Sequence, residues 1–228
     1  AIHSTADGSS KKPESGNLTK KVSGTGFFVS STGHILTVFH VAGRCREIRI
    51  AGSSAKVSLV TADKVNDLAL LKQEAVVKEV AGFIVDPSKV RQGEDVVSFG
   101  FPLNSVLSSG GNLTPGVISA LTGLGNNTNQ VQITAPIQPG SSGSPVLDKK
   151  GRVVGMVSMK MSDAKAMAAV GQIPQNVNFA TNVQTIKTFL EANQVPYKSS
   201  WRFFSFEKST ADLSDEAKKW TCMVECWN

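Results

Sequence analysis

Between Ser23 and Thr181 the chain is written in short apolar runs broken by Gly, Asn, Ser and Pro. "GTGFFVS", "HILTVF", "EIRIAG", "KVSLVTAD", "DLALLK", "DVVSFGF", "GVISALTG", "QVQITAP", "SPVLDKKGRVVGMVS" and "NVNFAT" each have the length and β-branched content of a strand. Their regular spacing, with turn signals and no intervening helical period, predicts an all-β barrel or sandwich rather than βαβ units. Gly151 in "DKKGRVVGMVS" predicts a hairpin turn.

The period then changes. In "TNVQTIKTFLEANQ" the residues Val183, Ile186, Phe189 and Leu190 share one helical face, which predicts a helix over about 182–193. Thr181 and Gln184 have the spacing of a capping box at its start. Further on, Leu213, Ala217, Trp220, Val224 and Trp227 repeat at helical spacing, although "TCMVECW" also reads as a strand. That tail is expected to dock on the main body or on a neighbouring chain. Residues 1–20, rich in Ser, Lys and Gly and without aromatics, read as a mobile arm.

The totals narrow the classes. A chain of 228 residues buries a sizeable core. No apolar run is long enough to span a membrane as a helix. The net charge is +6, but Lys and Arg are scattered with few aromatics among them. This reads as a basic surface and not as nucleic-acid binding. Three cysteines, with no histidine near them in the sequence beyond His40, make neither a disulfide scaffold nor a zinc site. Cys222 and Cys226 are within disulfide reach only on a helix, and buried free thiols are the simpler expectation. No metal and no cofactor is expected. A start at Ala1, without a basic-then-apolar leader, fits a processed or trimmed chain from which any export signal has already gone, and a periplasmic or secreted location is expected.

The chemistry gathers around one histidine. His3 lies in the arm and His34 at a strand start, whereas His40 follows an apolar run that leads into Gly43. An imidazole base needs an acid to fix its tautomer. Asp63 and Asp67 are both near enough in sequence. Asp67 directly precedes "LALL", at a buried strand edge, and Asp63 reads as a turn residue. A nucleophile needs an exposed hydroxyl on a tight turn with backbone N–H groups beside it. "PGSSGSPV", residues 139–146, offers Ser141, Ser142 and Ser144 among glycines. The order base, acid, nucleophile differs from the Ser-Asp-His order of α/β-hydrolases, and "GSSGS" lacks the last glycine of their elbow.

With those motifs in order, the chain resembles the trypsin-like serine peptidases, and in particular the HtrA/Deg protease domain. "GTGFFVSSTGHILTVFHV", "DLALLK", "APIQPGSSGSPV", "GRVVGMVSMK" and "NVNFATNVQTIKTFL" carry the likeness across about residues 22–193. The resemblance implies two antiparallel β-barrels, chymotrypsin-like, over 21–85 and 93–182. "VDPSKVRQG" joins them, a helix at 182–193 closes the domain of 21–193, and a short tail covers 194–228. It implies His40 as base, Asp67 as its orienter and Ser142 as nucleophile, with an oxyanion hole from the N–H groups of Gly140 and Ser142. It places Pro136 and Ile137 at the floor of the primary pocket, and Ser158, Met159 and Lys160 on the strand that pairs with substrate. Asn178 and Ala180 line the remaining wall, and Ser158 donates to Asp67.

The implied activity is that of a serine endopeptidase acting on polypeptides through an acyl-enzyme. With no carboxylate at the pocket floor, it is expected to prefer small or medium aliphatic residues before the cut. The alternative is a trypsin-like scaffold used for binding or regulation without turnover. Ser141 stands where trypsins activated by cleavage carry an aspartate, so control by ordering of loops at about 103–113 and 122–130 is expected instead. About 35 residues after the closing helix are too few for a PDZ-like domain. The oligomeric state is left open.

Overall fold

A computed structural model of the chain describes residues 18–102, 110–158, 176–200 and 206–228. Most of the arm, together with Met159 and Lys160, lies outside the described residues. In chain order the first half holds β1 (Lys20–Phe28), β2 (His34–Thr37), the one-turn helix α1 (Phe39–Ala42), β3 (Glu47–Ile50), β4 (Val57–Asp63), β5 (Leu68–Gln73) and β6 (Gly82–Ile84). The second half holds β7 (Asp95–Gly100), β8 (Asn112–Ala120), β9 (Gln130–Ile133), β10 (Pro145–Asp148), β11 (Arg152–Val157) and β12 (Asn178–Asn182). It continues with α2 (Val183–Ala192), β13 (Lys198–Ser200), α3 (Thr210–Ala217) and β14 (Thr221–Trp227).

Two closed, six-stranded antiparallel barrels result. The first runs β1-β14-β3-β4-β5-β2 and closes through β1–β2. The second runs β10-β7-β8-β9-β12-β11 and closes through β10–β11. Strand β6 adds to β11 in parallel, and β13 adds to β6. The expected all-β, chymotrypsin-like architecture is therefore present.

Several strands are buried on both faces, which their near-continuous apolar runs allow. In the first barrel Phe27, Leu68 and Leu70 lie on one face of the sheet and Ile35 and Val224 on the other, all with no exposed surface, and Val146, Leu147, Val153 and Met156 are as completely buried in the second. Each such side chain contributes roughly 1.5–3 kcal/mol of transfer free energy. In α2 the predicted face is turned inward: Val183, Ile186 and Leu190 are buried, and Phe189 packs partly against them. Gly151, at φ +77°, closes the β10–β11 hairpin with its N–H on the Asp148 carbonyl.

Four local readings change. The capping box is not made: Asn182 caps α2 by accepting the Thr185 N–H at 2.8 Å, while Thr181 stays in β12 with its hydroxyl on the Asn66 carbonyl. The strand leading to His40 ends at Thr37, and residues 39–42 form a single helical turn. The tail does more than dock. Strand β14 inserts between β1 and β3 and completes the first barrel, so that barrel extends beyond 21–85. On a strand, Cys222 and Cys226 are roughly 13 Å apart and cannot bond to each other. Cys226 forms a disulfide with Cys45 at a Cα separation of 5.3 Å, and Cys222 is free and buried.

Candidate active site

Asp67 organises the first-barrel side of the cleft. It ends the turn between β4 and β5 at φ +58°, a left-handed conformation that aspartate tolerates better than most residues. It is 1% exposed. Its Oδ1 accepts the His40 backbone N–H at 3.0 Å and its carbonyl accepts the Phe39 N–H, so it caps the free amides at the start of α1. Its Oδ2 lies 2.8 Å from His40 Nδ1. One carboxylate thus fixes both the helix that carries His40 and the ring of His40. Oδ2 also accepts the hydroxyl of the fully buried Ser158 at 2.7 Å, as the resemblance implied. Asp63 serves its own turn, accepting from the N–H groups of Val65 and Asn66.

The second barrel presents the serine turn. The Ser141 N–H donates to the Gln138 carbonyl at 2.9 Å, with Pro139 and Gly140 between them and Gly140 at φ +98°. Those features define a type II turn, which needs a positive φ at its third residue. The Gly143 N–H donates to the Val157 carbonyl at 2.8 Å, tying the turn to the strand that ends at Ser158. Among the described residues, no acceptor takes the N–H of Gly140 or of Ser142. The three serines separate. Ser142 is half-buried and its Oγ bonds to no described residue. Ser141 is buried, with the Gln138 N–H on its Oγ at 3.4 Å. Ser144 is fully buried against Gly100, where an added Cβ would sit 1.9 Å from its Oγ.

The barrels meet at this turn. Gly24 packs between Val41 of α1 and the Ser142 carbonyl, and the Thr25 N–H donates to that carbonyl at 2.8 Å. The 140–143 turn therefore packs on β1 beside α1, the helix that carries His40. Of the expected pocket residues, Pro136 is exposed and Ile137 half-buried. Asn178 donates its Nδ2–H to the Ala135 carbonyl at 2.9 Å, which ties β12 to the segment leading to Pro136. Ala180 departs from expectation: it has no exposed surface and packs 3.5 Å from the Cβ position of Gly155, inside the barrel wall. Ser158 is likewise closed to solvent, so its side chain faces Asp67 and not the cleft.

A family model described as the trypsin-like peptidase domain matches residues 24–156, more than half of the chain and a span that holds His40, Asp67 and Ser142. The chain belongs to the trypsin-like peptidase family. Within it the likeness is HtrA-type. The serine protease Do-like HtrA of Bacillus subtilis is 34% identical over 182 residues, 73% of this chain and 40% of that protein. An uncharacterized protein of Sinorhizobium fredii is 45% identical over 181 residues, 78% of this chain and 28% of that one. A serine endoprotease from Yersinia pestis has a similar structure, with a TM-score of 0.60 and 27% identity over 74% of this chain and 56% of that chain. The chain thus spans less than half the length of these two relatives.

Sequence reasoning missed Thr25. Its signal was a polar residue held between two glycines at the start of an apolar strand, "GTG" in "GTGFF".

Proposed function

We propose that the protein is a serine endopeptidase of HtrA type, with Ser142 as nucleophile, His40 as general base and Asp67 as the group that orients it. The observation that carries this reading is the double hold of Asp67 on His40, ring and backbone, in a member of this family. With Nδ1–H committed to the carboxylate, Nε2 carries the free lone pair. Ser142 Oγ adds to the scissile carbonyl carbon and its proton passes to Nε2. The oxyanion takes hydrogen bonds from the N–H groups of Gly140 and Ser142, which have no acceptor among the described residues. The C–N bond then breaks, Nε2 returns the proton to the leaving amine, and water cleaves the Ser142 ester by the same route.

That Pro136 and Ile137, the expected floor of the primary pocket, include no carboxylate supports a preference for small or medium aliphatic residues before the cut. A cleavage profile dominated by Arg or Lys overturns that preference. The Cys45–Cys226 disulfide supports export, because such bonds persist in oxidising compartments. The reaction is tested with a fluorophosphonate probe and peptide mapping. Label on Ser142, lost in Ser142→Ala, is the expected result. No label under several conditions favours a binding scaffold of the same fold.

A further inference from the structure

We propose that Thr25 is a positioning residue that holds the nucleophile turn from the opposite barrel. This rests on the reading of Ser142 above. Thr25 lies in β1, in the first barrel, and has no exposed surface. Its hydroxyl donates to the Gly140 carbonyl at 2.8 Å and accepts the Phe101 N–H at 3.0 Å. Its own N–H donates to the Ser142 carbonyl at 2.8 Å, and its carbonyl accepts the Thr37 hydroxyl at 2.7 Å. Every polar atom of this residue is engaged, and two of them reach the turn.

The geometry gives those bonds a specific effect. The Gly140 carbonyl belongs to the peptide joining residues 140 and 141, and the Ser142 carbonyl to the peptide joining 142 and 143. Between them lies the single peptide that carries the Ser142 N–H. Thr25 therefore anchors the peptides on both sides of that donor. The anchoring matters because Gly140 and Gly143, at φ +98° and +90°, give the turn little rigidity of its own. The approach is also tight: a Cβ on Gly143 would sit 2.0 Å from the Thr25 carbonyl oxygen. No charge is used. The turn is held by a hydroxyl that the other barrel supplies.

The test uses the full chain and three variants. Thr25→Val keeps the shape and removes the hydroxyl; Thr25→Ser keeps the hydroxyl. Thr37→Val removes the buried hydrogen bond to the Thr25 carbonyl, beside Gly143, and leaves the Thr25 bonds to the Gly140 and Ser142 carbonyls in place. Fluorophosphonate labelling of Ser142 is expected to slow roughly tenfold or more in Thr25→Val, the scale of one lost buried hydrogen bond. Thr25→Ser and Thr37→Val are expected to stay within about threefold of the parent, by the same scale. Hydrogen exchange across 138–144 is expected to quicken in Thr25→Val alone. Equal slowing in Thr25→Val and Thr37→Val, or parental rates in both, overturns the role. If the parent does not label at Ser142, the peptidase reading fails and exchange decides: faster exchange in Thr25→Val keeps the anchoring, and unchanged exchange ends it. Thr25→Ala replaces Thr25→Val if the latter does not fold.

Discussion

At Asp67 one side chain has three donors to satisfy: the His40 ring, the His40 amide and the Ser158 hydroxyl. Asp67→Asn presents an amide N–H to one of them, and the imidazole loses its fixed tautomer. The labelling rate at Ser142 is expected to fall by on the order of 10³–10⁴, the scale of that change in a Ser-His-Asp site. Ser158→Ala removes one donor to a buried carboxylate and is expected to cost about tenfold. Equal losses in the two variants, read side by side with one probe, contradict the assigned roles. Cys222 gives a second residue-scale expectation. Burial pushes its thiol from 9.0 up to about 12. The unfolded thiol ionises from about pH 9, while the folded one stays protonated to about pH 12. The folded state therefore keeps its full advantage below pH 9 and loses it progressively as the pH rises towards 12. Denaturant midpoints between pH 8 and 11, compared with Cys222→Ala, measure this as a steeper decline in the parent. Parallel curves refute it.

Caps and strand pairings act at the next scale. Asn182 accepts from the Thr185 N–H at the start of α2 and donates from Nδ2 to the Thr128 carbonyl at 2.7 Å. Asn182→Ala loses both and is expected to cost about 1 kcal/mol or somewhat more, whereas Asn182→Asp keeps the cap and costs less. Urea unfolding of the two variants gives the order, and equal midpoints remove the cap from the account. This cap was hard to foresee because two polar residues, Thr181 and Asn182, stand side by side. Sequence spacing favoured Thr181, but β12 pairs as far as Asn182 and so pushes the helix start one residue on. Period-two runs such as "EIRIAG" were legible because the strand carries its own alternation, Ile48 and Ile50 buried and Arg49 exposed, and the order of His40, Asp67 and Ser142 was legible because it is linear. Strand β14 was obscured for a different reason. Leu213 and Ala217 are the buried face of α3, Val224 is the buried centre of a strand, and their helical spacing continues across the break only by coincidence. The alternation of Cys222, Val224 and Cys226 was the better signal. Nothing local, however, tells a strand that its partner lies some 200 residues upstream.

Over the whole molecule, that long-range pairing makes the two ends of the described chain one structure. Thr19 and Asn228 exchange backbone hydrogen bonds, β14 lies between β1 and β3, and Cys45 is joined to Cys226 across 181 residues of sequence. Cys45 comes three residues after α1, the helix that carries His40. The disulfide therefore links the element bearing the proposed base to the last strand of the barrel. A cross-link closing so long a loop limits the unfolded chain and stabilises the fold by on the order of 2–4 kcal/mol. Without it β14 remains paired on both sides, with Val224 fully buried, so the barrel is expected to persist at 25 °C with reduced stability. The double variant Cys45→Ser, Cys226→Ser is expected to unfold at lower urea with an unchanged slope, and the parent in reductant is expected to match it. Labelling at Ser142 is expected to survive in both below their unfolding midpoints, because Asp67 and not the disulfide fixes the His40 ring. Loss of labelling while the barrel is still folded would instead make the disulfide part of the positioning of α1. An unchanged urea midpoint would mean that strand pairing alone closes the barrel.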